Sequence, residues 1–196
     1  VSLTIEAGGD VGMTSAPLRI ETPLVLAADV GGAMYVTTAG TVAVTTLTVA
    51  DDLVIAGSGA VTFTGTTTAA SIDVSTTAGN IMVSPTATMS AGSGAVSIEA
   101  AASVSLHGVT GGAVDVTARS GGILNVGSGL AISATSLTLD AGTAVGAAGD
   151  ALRISAATVT AVDADGAVRL DVAGATTIGR LTAGGVIDVD GTGPVS

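Results

Sequence analysis

The chain has 196 residues, a formal net charge of −11, and no Lys, Cys, Trp or Gln. Disulfide staples and thiolate metal sites are therefore excluded. Its only cations, Arg19, Arg119, Arg153, Arg169 and Arg180, are too scattered to make a phosphate-binding surface. The chain is 47% hydrophobic with a mean hydropathy of +0.74, yet only 1% aromatic, so it must bury many small side chains rather than a few large ones.

In chain order, short stretches alternate apolar and polar residues with the period of a strand. They are SLTIEA at 2–7, AVTFTG at 60–65, SIDVST at 71–76, AVSIEA at 95–100, SVSLHG at 103–108, AVDVTA at 113–118, SLTLDA at 136–141 and AVRLDV at 167–172. In each, Val, Leu and Ile point one way and Ser, Thr, Asp and Glu the other. Gly pairs separate them, at Gly8-Gly9, Gly31-Gly32, Gly111-Gly112, Gly121-Gly122 and Gly184-Gly185, and are expected to supply the positive-φ corners of tight turns. Pro17, Pro23, Pro85 and Pro194 fall at strand starts or in connections. No segment has a capped 3.6-residue stripe, so essentially no helix is expected. No apolar run is long enough to span a membrane as a helix.

The chain also repeats itself. SLTIEAGGDVGMTSAPLRI at 2–20 returns as SLTLDAGTAVGAAGDALRI at 136–154, and the match continues without a gap. With Ser136 set on Ser2, 22 of 61 aligned positions (2–62 against 136–196) are identical. Residues 1–196 therefore read as one continuous segment, a long repeat at 1–134 and part of the next at 135–196, cut from a longer protein. Between copies the apolar strand positions keep their character, while outward ones change: Tyr35 becomes Arg169 and Thr46 becomes Arg180.

Strand starts every six to ten residues leave no room for sandwich crossovers. They fit a right-handed parallel β-helix, a β-solenoid with coils of about 17–20 residues stacked at about 4.8 Å. One long repeat would then be about seven coils. A narrow interior suits Val, Ile, Leu, Ala and Thr, and each backbone group pairs with the coil above or below. Open end coils would be sheet edges unless the rod continued.

The phrases GGDVG…PLRI, AGNIMVS, GAVSIEA and SLTLDAG resemble the repeats of filamentous-haemagglutinin-like exoproteins, the giant repetitive surface adhesins of bacteria. The resemblance implies a β-helical stalk or fibre outside a bacterial cell, on its surface or secreted, where such rods also build biofilm matrix. With only Asn80 and Asn125, the chain departs from members rich in Asn ladders.

Little chemistry is legible. A P-loop lysine is absent, and no GxGxxG is complete. His107 continues an alternating strand outward and reads as a surface histidine without a triad partner. Asp163-Ala164-Asp165-Gly166 and Asp188-Val189-Asp190-Gly191 resemble the start of calcium loops but do not complete one. Asp163, Asp165, Asp188 and Asp190 are the candidates for weak calcium binding; no other cofactor and no catalytic residue is expected. The carboxylate–arginine groupings Asp150/Arg153 and Asp163/Arg169/Asp171 read as a solvated, salt-bridged face rather than as the site of a polysaccharide-active enzyme. Thr pairs at Thr46/Thr48, Thr62/Thr64, Thr86/Thr88 and Thr158/Thr160 do not recur once per coil, as an ice-binding face would require.

The sequence thus points to a structural shaft built from tandem β-helical repeats. Its partners would be further copies of the repeat along the rod, with lateral association into a fibre also open. A glycan- or cell-surface-binding β-helix is the alternative.

Overall fold

The computed structural model describes residues 2–21 and 24–196. Among these there is no helix: 21 strands join in one continuous parallel network, a β-solenoid. The alternating stretches become strands where the sequence places them, including Ser2–Ala7, Ser71–Thr76, Ala95–Ala100 and Val168–Val172. Pro17 and Pro85 lie outside the strands, and Pro23 falls outside the described residues.

Inward columns run the length of the rod. One passes through Ile5, Ala28, Leu47, Thr67, Met89, Val109, Ile132, Ile154, Val172 and Gly191, each paired in register with the next. These ten positions mark ten turns. The shortest step along this column is from Ile154 to Val172, and the longest include that from Ile5 to Ala28. The longer coils exceed the expected length because loops bulge outward between inward positions without moving the columns. In one coil Val42, Val44, Leu47, Val49, Leu53, Ile55 and Gly57 are all buried, giving seven inward columns. The column beside one corner is narrow: Ala100, Ala118, Ala141, Ala164 and Ala183 succeed one another where the backbone bends. Such an interior has room for aliphatic stacks, and Phe63 is the only aromatic ring buried in it.

The long repeat is built into the pairing. Val11 bridges Met34 as Val145 bridges Val168. Leu18 pairs Val36 as Leu152 pairs Leu170, and Met34 pairs Leu53 as Val168 pairs Ile187. The two copies do not sit in line, however. Six coils after Ile5, its column has reached Ile132, whereas its repeat equivalent Leu139 lies in the column of Val36, Ile55, Val74, Ile98 and Val116. That column is three inward positions further round. One repeat is therefore six coils and three of seven columns, a little under the expected length of about seven coils, and each copy is turned relative to the last.

The paired glycines also differ from expectation. None of them has positive φ; the left-handed glycines are single ones such as Gly12, Gly40 and Gly146. What the pairs other than Gly8-Gly9 permit is close stacking of corners: a Cβ on Gly112 would lie 2.1 Å from the Ser93 carbonyl oxygen.

Thr67 interrupts an otherwise apolar interior column, fully buried between Leu47 and Met89, and its hydroxyl has no hydrogen-bond partner. A buried, unpartnered hydroxyl costs about 1–3 kcal/mol. Thr67→Val keeps the shape and removes that cost, so the urea midpoint should rise by the equivalent of about 1 kcal/mol with an unchanged slope. A loss of stability would show that the hydroxyl is satisfied in solution.

Candidate functional site

Twice, the chain leaves its coil between two consecutive inward residues. Residues 12–17 depart after Val11 and return at Leu18; residues 146–151 depart after Val145 and return at Leu152. Each excursion is closed by a reciprocal pair of backbone hydrogen bonds. These join Met13 and Ala16 at 3.1 and 2.9 Å, and Ala147 and Asp150 at 2.9 and 3.1 Å. Each begins at a glycine with φ +71°. A Cβ on Gly12 would lie 2.5 Å from the Tyr35 carbonyl oxygen, and one on Gly146 2.3 Å from that of Arg169. Glycine thus meets two demands at once: a left-handed backbone and contact with the next coil. The result is the same outward lip, once per repeat.

Each lip overhangs a recess. The first, of about 240 Å³, is lined by Thr14 and Pro17 from the lip and by Tyr35, Thr37, Val54, Ala56 and Asp73 from the following coils. The second, of about 380 Å³, is lined by Ala151, Arg153, Arg169, Asp171, Asp188 and Asp190, with Asp150 at the lip. Five lining positions correspond through the repeat: Pro17 with Ala151, Tyr35 with Arg169, Thr37 with Asp171, Val54 with Asp188, and Ala56 with Asp190. All five differ in residue. The frame is kept and its lining is exchanged: four of the five positions, all but Pro17/Ala151, pass from uncharged to charged.

Charge elsewhere follows the ladders. Asp73, Ser97, Asp115 and Thr138 form one outward column, and Ser75, Glu99, Thr117, Asp140, Asp163 and Thr182 form the next. Partial burial raises the Asp73 carboxyl above its ordinary value, with Glu99 adding repulsion. Asp115 is raised by burial first, then by Asp140 and Glu99. Arg119 pairs with Glu99, Arg180 with Asp163 at 3.5 Å, and Arg153 with Asp150 at 3.4 Å and Asp171 at 3.9 Å. The Asp150/Arg153 grouping therefore forms, while Asp163 turns to Arg180 instead of Arg169. These pairs are solvent-facing and contribute little individually.

Of the calcium candidates, Asp163 is in an ion pair, Asp165 lies at a bend, and Asp188 and Asp190 point outward from Ile187–Gly191. Among the described residues no three Asp, Glu or His side chains are gathered to hold a metal ion. His107 is half-covered by the loop that follows Asn125; its Nδ1 lies 2.9 Å from the Val126 carbonyl oxygen, and its ring packs on Gly129. The hydroxyls are more regular than the Thr pairs imply. Thr48, Thr68, Ser90, Thr110, Ser133 and Ser155 stand on six successive coils in one outward column. The doubled Thr-x-Thr form does not persist, since Gly108, Ala131 and Arg153 take the companion position beyond Thr88.

The lips and recesses were not legible as sites. Tyr35→Arg169 looks like drift on a free surface until the fold brings residues 17, 35 and 54 together. The available signal was that Val11-Gly12 and Leu18-Arg19-Ile20 return as Val145-Gly146 and Leu152-Arg153-Ile154, with a variable stretch between them. Comparison of the chain with known protein families, with curated proteins and with solved structures found no match.

Two outcomes follow. Gly12→Ala and Gly146→Ala should each destabilise by about 1–2 kcal/mol, beyond an ordinary Gly→Ala change, because φ and contact are both violated; thermal unfolding measures this. The raised Asp115 carboxyl means that folding disfavours its ionised form. Stability from this group is thus full below the ordinary value of 3.8 and declines as pH rises through the raised native value. Asp115→Asn should stabilise at pH 7 by roughly 0.5 kcal/mol or less, the scale of one exposed cross-strand charge pair, and the gain should vanish at low pH. A gain independent of pH would mean that packing, not charge, is responsible.

Proposed function

We propose that the chain is a length of structural shaft from an extracellular bacterial fibre or adhesin stalk, made of tandem β-helical repeats. The observation that carries this reading is the return of the same pairing registers in the second copy, so that repeat can stack on repeat along a single axis. Stability in such a stack comes mainly from contacts between neighbouring coils, so added length costs little. Stiffness comes from backbone ladders that run unbroken along the rod. The outward positions are free to vary, as Tyr35/Arg169 and Thr46/Arg180 do, while the inward ones stay aliphatic. The extracellular setting rests on the resemblance of GGDVG…PLRI and SLTLDAG to surface exoproteins. Among the described residues no helix is long and apolar enough to cross a membrane.

Electron cryo-microscopy of the native material tests the shaft. A filament should appear with an axial spacing of about 4.8 Å. Its lips should recur after six coils and three of seven columns, roughly 31 Å along the axis at that spacing, each turned from the last. Compact separate particles would sink the reading. Antibody labelling of intact cells tests the location independently: labelling only after the cells are opened would overturn an extracellular shaft.

A further inference from the structure

The first recess is an amphipathic slot. Tyr35, Val54 and Asp73 follow one another in a single outward column over three coils. At about 4.8 Å per coil, ring and carboxylate stand roughly 10 Å apart, with an aliphatic side chain between them. Pro17 and Ala56 add apolar walls. At about 240 Å³ the recess is smaller than the roughly 300–1,000 Å³ of pockets that enclose a drug-sized molecule, and suits one side chain.

We infer that this recess holds a basic side chain of a partner protein, its aliphatic stem along Tyr35 and Val54 and its cation at Asp73. Charge complementarity selects that occupant. The recess has a carboxylate and no cation of its own, in a chain of net charge −11. Four of the five arginines are engaged elsewhere, with Glu21, Glu99, Asp150 and Asp163, and the fifth, Arg169, lines the other recess. Lysine joins a flexible four-carbon stem to a point charge, so the stem can lie along the apolar wall while the cation reaches the carboxylate. Glu99 repels Asp73, and an incoming cation relieves that repulsion.

The second copy supplies an independent observation. There the repeat puts Arg169 in the place of Tyr35, in register with Asp188 and beside Asp171 and Asp190. The same frame, under the same lip, there holds a cation of its own chain in a recess lined by carboxylates. The first copy lacks that side chain and keeps one carboxylate, Asp73, to meet a partner's cation. Residues 1–196 contain no lysine that could fill the recess.

Tyr35 is the only tyrosine and there is no tryptophan, so intrinsic emission reports on this recess directly. The 196-residue chain is titrated with N-acetyl-trilysine amide, with the matching triarginine, and with cellotetraose as a neutral probe. The expected result is a saturable change in Tyr35 emission with the basic peptides, half-complete near about 1 mM at low salt and weakened by added salt. Asp73→Asn should weaken binding about tenfold, whereas Asp51→Asn, which removes the same charge at a turn away from the recess, should leave it within about twofold. Equal loss in both variants would reduce the effect to general attraction by an acidic rod and overturn the site. So would no change up to about 10 mM peptide, or a stronger response to cellotetraose. Emission that depends on protein concentration without any probe would give the recess to a second copy of this chain and overturn the assignment to a different partner. Both variants lie on the outer surface, and circular dichroism checks that each is folded.

Discussion

Everything in this molecule depends on the parallel backbone ladder. Stacking coils at about 4.8 Å obliges each residue to sit over its counterpart in the coil below, so a side chain is judged against its column as well as its chain neighbours. That constraint accounts for the composition. Inward columns bounded by backbone on every side accept Val, Ile, Leu and Ala, and admit Phe63 but no indole. It also accounts for where glycine is needed: at corners, where two turns of backbone approach closely enough that Cβ atoms would collide, as at Gly112 over Ser93.

Much of the fold was legible because its signal is local. A strand of six residues such as SIDVST announces both faces by alternation, and that pattern survives whatever lies beyond its ends. Less legible was anything set by coil length. Along the Ile5 column the step from Ile154 to Val172 is shorter than that from Ile5 to Ala28, so the residues that meet at one place on the surface are separated by irregular intervals in sequence. Tyr35, Val54 and Asp73 are evenly spaced by chance of two equal coils, yet the partner of that column on the lip, Pro17, lies at no such interval. The hydroxyl column from Thr48 to Ser155 was hidden for the same reason. Its six members are regular in space and irregular in number.

The double glycines show a second limit. A glycine in a sequence can mean a left-handed corner or a crowded one, and the two have the same letter. Only the fold separates Gly12, which needs both, from Gly112, which needs only room. The buried Asn125 is a related case. Its amide donates to the Gly127 carbonyl oxygen at 2.7 Å while its own Oδ1 is left without a partner, an internal polar residue with no ladder to support it.

The fractional turn of the long repeat joins architecture to surface. Had a repeat occupied whole coils, its outward features would line up along one side, and two rods could pack face to face along that line. With three columns left over, the lip over Tyr35 and the lip over Arg169 face different directions. A tandem array would then wind its lips around the axis, and no straight seam of identical lips would form. Such a surface is better disposed to meet partners on several sides than to pack flat against its own kind. Because each lining can change while Gly12 and Gly146 hold the frame, one shaft can present recesses of different chemistry without altering its core.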